Sequence, residues 1–471
     1  MPKTVKLFNT LSRSIEPLKT VEPNKASIYC CGPTVYNFQH IGNLKTYIFE
    51  DLLVRTIRRA GYLVKHVMNI TDVGHLVSDG DDGEDKMLVA MRREGKTSEQ
   101  IASYYTDIFF DDCKKLNINK PDIVCKATDH IKEMIELNQM IQDNGYAYFA
   151  NGNLYFDVGK CKDYGKLALL DLEKLKAGAR IEVDQHKKSP FDFVLWFTNS
   201  KFDNQELQWD SPWGRGYPGW HIECSAMARK YLGDSIDIHC GGIDHIPVHH
   251  TNEIAQTEAA TGKKPWVNLW MHSDFMVINK QKMSKSTGGF ITLSDLIKDG
   301  VSPEAYRYFC LTASYRSQLN FSPQALASAS DSVKKIRAVV QNLFEQCKDP
   351  NANSANSKLV EQFEEALFND LNTPQALAVV WSAINDKAMT AQEKLSTLLN
   401  LDQVLGLGFA NWKQEEVSIP SEVQELIIQR AKAKEAKDFA ESDRLRAQIT
   451  SLGFSVVDDK TAAYGMKVKA L

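Results

Sequence analysis

The sequence predicts an α/β fold: a parallel sheet with crossover helices and an inserted α+β piece, followed by an all-α helical bundle and a small mixed α/β C-terminal unit. Three observations carry this. KASIYCCG (25–32), GYLVKHVMNITD (61–72) and GDSIDIHCGGID (233–244) each run from strand-forming residues into a Gly- or Asp-bearing turn. Two helical stretches, IGNLKTYIFEDLLVRTIRRAG (41–61) and HHTNEIAQTEAATG (249–262), follow such strands, the alternation that builds a parallel sheet. Beyond about residue 321 the strand signal vanishes and amphipathic helices take over.

Taken in order, MPKTVKLFNTLSRSIEPLK (1–19) lacks the contiguous apolar core and small-residue cleavage site of a signal peptide, and reads as a first strand with flanking loop. The interval 112–210 breaks the strand–helix rhythm with short mixed segments such as GNLYFDVGK and SPFDFVLWF. Helices follow at 328–347, 358–370 and 373–387, broken by the polar linker DPNANSANS. A last unit begins near Pro420, with one or two helices over 421–453 and the strand FSVVDD. The acidic loop DGDDGEDK (79–86) fails as a calcium loop, because Glu84 stands where glycine is required and Ala90 where the bidentate glutamate belongs.

Composition narrows the classes. A chain of 471 residues implies two to four domains, and 43% hydrophobic with 25% charged residues is the balance of a soluble protein. No run reaches the roughly 18 apolar residues of a membrane span, so no membrane partner is expected. Nine scattered cysteines fit a reducing, cytoplasmic setting in which they are core residues, metal ligands or nucleophiles. The net charge of −4 neither suggests nor excludes nucleic acid.

The polar clusters gather at the carboxyl ends of the predicted strands, where ligands of open α/β sheets collect. In HHTNE, His249 and Glu253 lie at i and i+4 on one helix face, close enough to share an ion or to form a plain surface pair, and His250 points about 100° away. Cys224 and Cys31 add soft donors from two other elements, and the four types together suit tetrahedral zinc, although no spacing rule joins them. If ASIYCC is a strand, Cys31 and Tyr29 face one way and Cys30 and Ile28 the other, leaving Cys30 as core filling. KMSKS (282–286), followed by TGG, is a donor-rich loop suited to polyphosphate, or an exposed basic turn. In QHIGN (39–43), His40 precedes a helix start, where free N–H groups and the dipole favour phosphate.

HIGN at the first strand–helix junction, with KMSKS about 240 residues later, resembles the HIGH and KMSKS signatures of class I aminoacyl-tRNA synthetases. CGPTVYNFQHIGN, NITDVGH, SPWGRGYPGWHIECSAM, DIHCGGIDHIPVHHTNEIAQ, WMHSDFMVINKQKMSKS and SYRSQLNFS resemble the cysteinyl-tRNA synthetase family, a likeness running from Phe8 to about Phe454. It implies a Rossmann-type catalytic domain in two halves, 1–111 and 211–320, around a connective piece at 112–210. A tRNA-contacting bundle at 321–415 and an anticodon-binding domain at 416–471 would complete the chain.

The resemblance further implies one Zn2+ held by Cys31, Cys224, His249 and Glu253 that binds the substrate thiolate, with Thr71, Trp220 and His239 lining the rest of the cysteine pocket. ATP, brought with Mg2+, would meet His40, Gly42 and Asn43 on one side, Lys282, Ser284 and Lys285 on the other, and Gly242 and Asp244 near the adenosine. His40, Asn43, Lys282 and Lys285 would be the catalytic set. L-cysteine, ATP and tRNA(Cys) are the implied partners of a monomer, with Lys434, Phe439, Asp443 and Arg446 reading the anticodon. Three departures stand out: Asn43 replaces the signature's last histidine, Thr251 replaces a glutamate in the Pro-His-His-Glu-Asn-Glu block, and DDKTAAYGMKVKAL lacks the usual Gly-Thr-x-Trp close. Two rival readings are a ligase that passes the cysteinyl group to a small amine such as an amino sugar, and a non-catalytic RNA-binding paralogue.

Overall fold

The computed structural model describes residues 1–73, 86–170, 186–199, 207–278, 281–282, 290–347, 349, 354–412, 420–458 and 463–470. The chain forms two compact units, 1–411 and 412–471.

Five parallel strands centre the first unit, in the order Val267–Ser273, Ile236–Gly242, Lys25–Cys30, Leu63–Ile70 and Ile123–Lys126. Val267–Ser273 and Ile236–Gly242 are buried almost throughout, as strands of a sheet covered on both faces are. Residues 28 and 68 face the Ile41–Arg59 helix; 29 and 67 face the opposite layer, where Trp220–Leu232 and His249–Thr261 pack. In register, Met271, Cys240, Cys30 and Met68 form one row across four strands. The next residues along, His272, Gly241, Cys31 and Asn69, therefore emerge together at the carboxyl edge.

The three strands and two helices read from sequence are all present, and the parallel sheet is the one expected. Four local differences have simple causes. The first strand is a hairpin, Lys6–Asn9 with Ser14–Pro17, turned through Arg13 at φ 59°. The limit expected at 112 falls inside the helix Ser98–Lys115, which starts at a Thr97–Gln100 capping box. Ile123–Lys126, expected within the inserted piece, is instead an outer strand of the parallel sheet; at four residues it is too short to show a period. The antiparallel sheet of that region, Ala147–Ala150, Asn153–Phe156, Phe193–Phe197 and Tyr217–Pro218, extends past 210.

Helices Pro323–Gln346, Ser357–Phe368, Thr373–Asn385 and Ala391–Leu405 form the helical region. The first starts five residues before the expected 328, and the fourth was not anticipated; Ser322, Asn356, Asn372 and Thr390 each accept the backbone N–H three residues on. One buried ion pair ties this region to the sheet layer. Arg307 donates to Asp51 at 2.6 Å, to the Leu405 carbonyl at 2.7 Å and to the Leu116 carbonyl at 3.0 Å. A Cβ at Gly406 would come within 2.6 Å of that guanidinium, and φ +66° there also requires glycine.

The second unit has helices Ser421–Glu435 and Phe439–Ser451 and an antiparallel pair, Phe454–Asp458 with Met466–Ala470. The second strand of that pair was not anticipated. Val423, Ile427, Ile449, Val456 and Met466 make its small core.

Candidate active site and metal centre

The carboxyl edge of the sheet brings four dispersed donors together. Cys31 follows the strand Lys25–Cys30, its N–H held by the Cys240 carbonyl at 3.1 Å. Cys224 projects from Trp220–Leu232, and His249 and Glu253 from the first two turns of His249–Thr261. The ligand atoms of Cys31, Cys224, His249 and Glu253 all lie within 4.8 Å of one another, and every member is buried. The two sulfurs are 4.0 Å apart, and His249 Nε2 is 3.0 Å from Glu253 Oε1.

Close backbone approach makes this geometry possible. A Cβ at Gly32 would sit 1.6 Å from the Asn69 carbonyl oxygen, so nothing but glycine lets the chain turn there. The Asn69 side chain fixes the turn by accepting from Gly32 N–H at 2.8 Å and donating to Thr71 Oγ1 at 2.9 Å. At Gly241 a Cβ would meet His245 Nδ1 at 2.5 Å and His250 Cε1 at 2.9 Å.

The electrostatics suit a cation. Burial pushes the Cys31 thiol up, whereas the hydrogen bond from Cys31 outweighs burial at Cys224 and lowers it to about 6. Burial opposes ionisation of Glu253, but His239 and His249 bring it down to about 2. Burial likewise opposes a charge on His249, yet Glu253 and Cys224 hold its proton up to about 10. Thiolate and carboxylate thus outnumber the single imidazolium, leaving a net negative charge in a buried cluster. Two sulfurs, one nitrogen and one oxygen make a donor set chemically fit for zinc, and Glu253 Oε1 has no hydrogen-bond partner.

The residues expected around the donors have these positions. Trp220 stacks on His249 with ring centroids 4.4 Å apart. His239 Nε2–H donates to Glu253 Oε2 at 3.0 Å, and the ring stacks on Trp270 at 4.6 Å. Thr71 is buried just past the strand Leu63–Ile70, paired with Thr34. His40 is the N-cap of Ile41–Arg59, its Nδ1 accepting the Asn43 N–H at 3.0 Å, so the side chain itself occupies one of the helix's free donors. A Cβ at Gly42 would touch the His40 ring at 3.0 Å. His40 also bridges Thr292 and faces the Phe290 ring at 5.8 Å, which sets the segment following KMSKS against the helix start. Lys282 pairs with Val277 in a short hairpin; Ser284 and Lys285 lie outside the described residues. Gly242 ends the strand Ile236–Gly242, and Asp244 is exposed beyond it.

One contact goes beyond the expectation. His250, placed about 100° from the ligand pair, does turn away from His249, but toward Cys31, whose sulfur is 3.3 Å from its Nε2. A relay continues outward: His250 Nδ1 to His272 Nε2 at 2.7 Å, then His272 Nδ1 to Thr10 Oγ1 at 2.8 Å. Cys31, His239, His250 and Glu253 consequently form a second set of donors within the same 4.8 Å limit. Sequence reasoning missed His250, His272 and Thr10; the available signals were the His-His pair and the histidine ending WMHS.

In the second unit, Phe439, Asp443 and Arg446 are exposed at i, i+4 and i+7 of one helix, and Phe439 is 66% exposed. Lys434 pairs with Asp458 at 2.6 Å.

The chain matches three families: "tRNA synthetases class I (C) catalytic domain" over 17–331, "DALR domain" over 362–410 and "Cysteinyl-tRNA ligase anticodon binding domain" over 416–464. It is 49% identical to the cysteine–tRNA ligase of Treponema denticola, covering 97% of this chain and 98% of the relative. Identity to that of Borrelia hermsii is 43%, covering 99% of each. Among solved structures it is similar to Mycobacterium tuberculosis methionyl-tRNA synthetase in complex with methionyl-adenylate, with TM-score 0.56, 14% identity and coverage of 89% and 96%. That likeness shows the shared fold. With the catalytic match spanning more than half of the chain and close relatives along nearly all of it, the chain belongs to the cysteinyl-tRNA ligase family of class I tRNA synthetases.

Proposed function

We propose that this enzyme ligates L-cysteine to tRNA(Cys) in two steps, through cysteinyl-adenylate. The observation that carries the proposal is the convergence of two thiols, an imidazole and a carboxylate at the end of the strand that leads into the His40-capped helix.

In the first step the cysteine carboxylate attacks the α-phosphorus of ATP, and pyrophosphate leaves. In the second a terminal ribose hydroxyl of tRNA attacks the cysteinyl carbonyl, and AMP leaves. No side chain acts as nucleophile; positioning and charge stabilisation do the work. His40 and Asn43 contact the phosphates from the helix start, and Lys282, Ser284 and Lys285 from the loop, with Mg2+ accompanying ATP. Gly242 admits the nucleotide backbone closely, and Asp244 takes the adenosine side. Thr71, Trp220 and His239 enclose the amino acid.

Cys31, Cys224, His249 and Glu253 would hold zinc, which would supply a Lewis acid with affinity for the substrate thiolate. Selection by thiolate affinity answers a real difficulty. Serine differs from cysteine by one atom, and pocket shape alone separates such pairs by only about 10 to 200-fold. Phe439 stacks on an anticodon base, with Lys434, Asp443 and Arg446 at base edges or phosphates.

We assign the catalytic halves to 1–111 and 211–320, modified so that Ile123–Lys126 joins the first, with the connective piece ending near 218. The bundle at 321–415 and the domain at 416–471 serve tRNA. By the family reading the protein works in the cytoplasm as a monomer. The amino-sugar alternative is disfavoured by the anticodon-binding match at 416–464. Charging assays with purified tRNA(Cys) and with an amino-sugar acceptor decide between them: cysteinyl-tRNA is expected, and transfer to the sugar alone overturns the reading.

A further inference from the structure

A second cavity, of about 380 Å3, lies on the opposite face of the parallel sheet from the two thiols. It opens between the Ile41–Arg59 helix, the strand Leu63–Ile70 and the end of Ser98–Lys115. Its volume is that of a small-molecule site. Tyr47, Val54, Met68, Phe109, Phe110 and Ile118 give it apolar and aromatic walls, with Tyr47 and Phe109 edge to face at 4.7 Å. Exposed Lys114, Asn119 and Lys120 line its mouth.

Two polar side chains in this wall lack a full set of partners. Glu50 is 1% exposed; the Cys30 thiol is its polar neighbour, and no N–H or O–H group among the described residues donates to its carboxyl oxygens. His66 is 4% exposed, and its Nε2 is likewise unmatched. Leaving such groups unsatisfied costs ~1–3 kcal/mol each, more than a leucine or phenylalanine in the same places. A second acid, Asp51, is already committed to Arg55 and Arg307.

We propose that this cavity binds a small heteroaromatic molecule whose edge pairs an N–H donor with an adjacent ring-nitrogen acceptor, as in an aminopyridine or aminopyrimidine, with Glu50 and His66 as its polar anchors. Burial keeps the Glu50 carboxyl well above the usual carboxylate range, offset only in part by the neighbouring Cys30 thiol. A neutral carboxyl offers O–H and C=O side by side, the complement of that edge. Burial lowers His66 to about 4, so its neutral ring supplies one further donor or acceptor. An anionic ligand finds no cation beside these two anchors, since Lys114 and Lys120 lie at the exposed mouth, and a purely apolar one leaves Glu50 and His66 unmatched. The inference stands apart from the cysteine reading, because it uses the other face of the sheet.

The test uses the full chain with saturating ATP and two probes, 2-aminopyridine and toluene, followed by ligand-observed NMR and calorimetry. Expected is 2-aminopyridine binding at least about tenfold tighter than toluene, a preference kept by Glu50→Gln, whose amide retains the donor–acceptor pair, and lost in Glu50→Leu. Ile118→Trp, at the half-buried mouth, should block both probes while leaving the unfolding temperature unchanged, which guards against a variant that fails to fold. Equal binding of both probes, a preference unaffected by Glu50→Leu and Ile118→Trp, or no binding of 2-aminopyridine at millimolar concentration overturns the proposal.

Discussion

Glu253→Gln in the metal-stripped protein tests the electrostatics of the donor cluster with the ion out of the way. The carboxylate lies 3.0 Å from both His239 and His249, and all three side chains are at most 2% exposed. Its fall from 4.5 to about 2 corresponds to ~3 kcal/mol, and the rise of His249 from 6.5 to about 10 to ~5 kcal/mol. These describe one interaction from two sides and are not summed. The smaller figure is the better guide, because His249 also faces the Cys224 thiolate. A loss of ~3 kcal/mol is also at the low end for breaking a buried pair. The signs fix the pH window. The Glu253 contribution is present above pH 4.5 and disappears as pH falls toward 2, because its folded value is depressed. The His249 contribution is present below pH 6.5 and disappears as pH rises toward 10, because its folded value is raised. Urea unfolding of chelator-treated protein, followed by tryptophan fluorescence, should therefore show the full wild-type advantage near pH 5–6 and a smaller one at pH 3 and pH 9. A difference under about 1 kcal/mol, or one that ignores pH, refutes the reasoning.

Three further outcomes are expected. Arg307→Met leaves Asp51 with Arg55 as its charged partner and the buried Leu405 carbonyl without its donor, and should cost ~1–3 kcal/mol, read as a lowered urea midpoint. Asn43→Ala should lower the rate of cysteine-dependent ATP–pyrophosphate exchange about 10-fold or more with the cysteine KM nearly unchanged, and an unchanged rate makes the position a spacer. His272→Phe cuts the chain from Thr10 to His250 and should weaken zinc about 10 to 100-fold in chelator competition, because the orientation of His250 against Cys31 is lost.

The sheet was legible because its central strands carry apolar runs that end in Gly or Asp, and its helices because capping residues sit where the period changes. Ile123–Lys126 was not, since four residues of mixed exposure carry no period. The donor set was legible through the family resemblance rather than by residue type, since no spacing rule joins Cys31, Cys224, His249 and Glu253 and their common burial appears only in the fold. The partners of His250 were hidden for a different reason. A helical wheel places a side chain on its own helix but says nothing of what another element brings to it. Cys31 lies 219 positions away in sequence, and His272 reaches the site only because two parallel strands end in the same row. Glu50 illustrates the converse case. A glutamate within an amphipathic helix reads as solvent-facing, and only the packing of Ser98–Lys115 over it reveals a buried carboxyl.

The central claim, that the Cys31–Cys224–His249–Glu253 centre selects cysteine through its thiolate, is tested most directly by cobalt substitution. Co2+ in place of zinc reports each bound thiolate as a sulfur-to-cobalt charge-transfer band in the near ultraviolet. Adding L-cysteine should intensify that band by one further thiolate, and L-serine at the same concentration should leave it unchanged. A spectrum indifferent to cysteine while the enzyme still forms cysteinyl-adenylate would contradict the account.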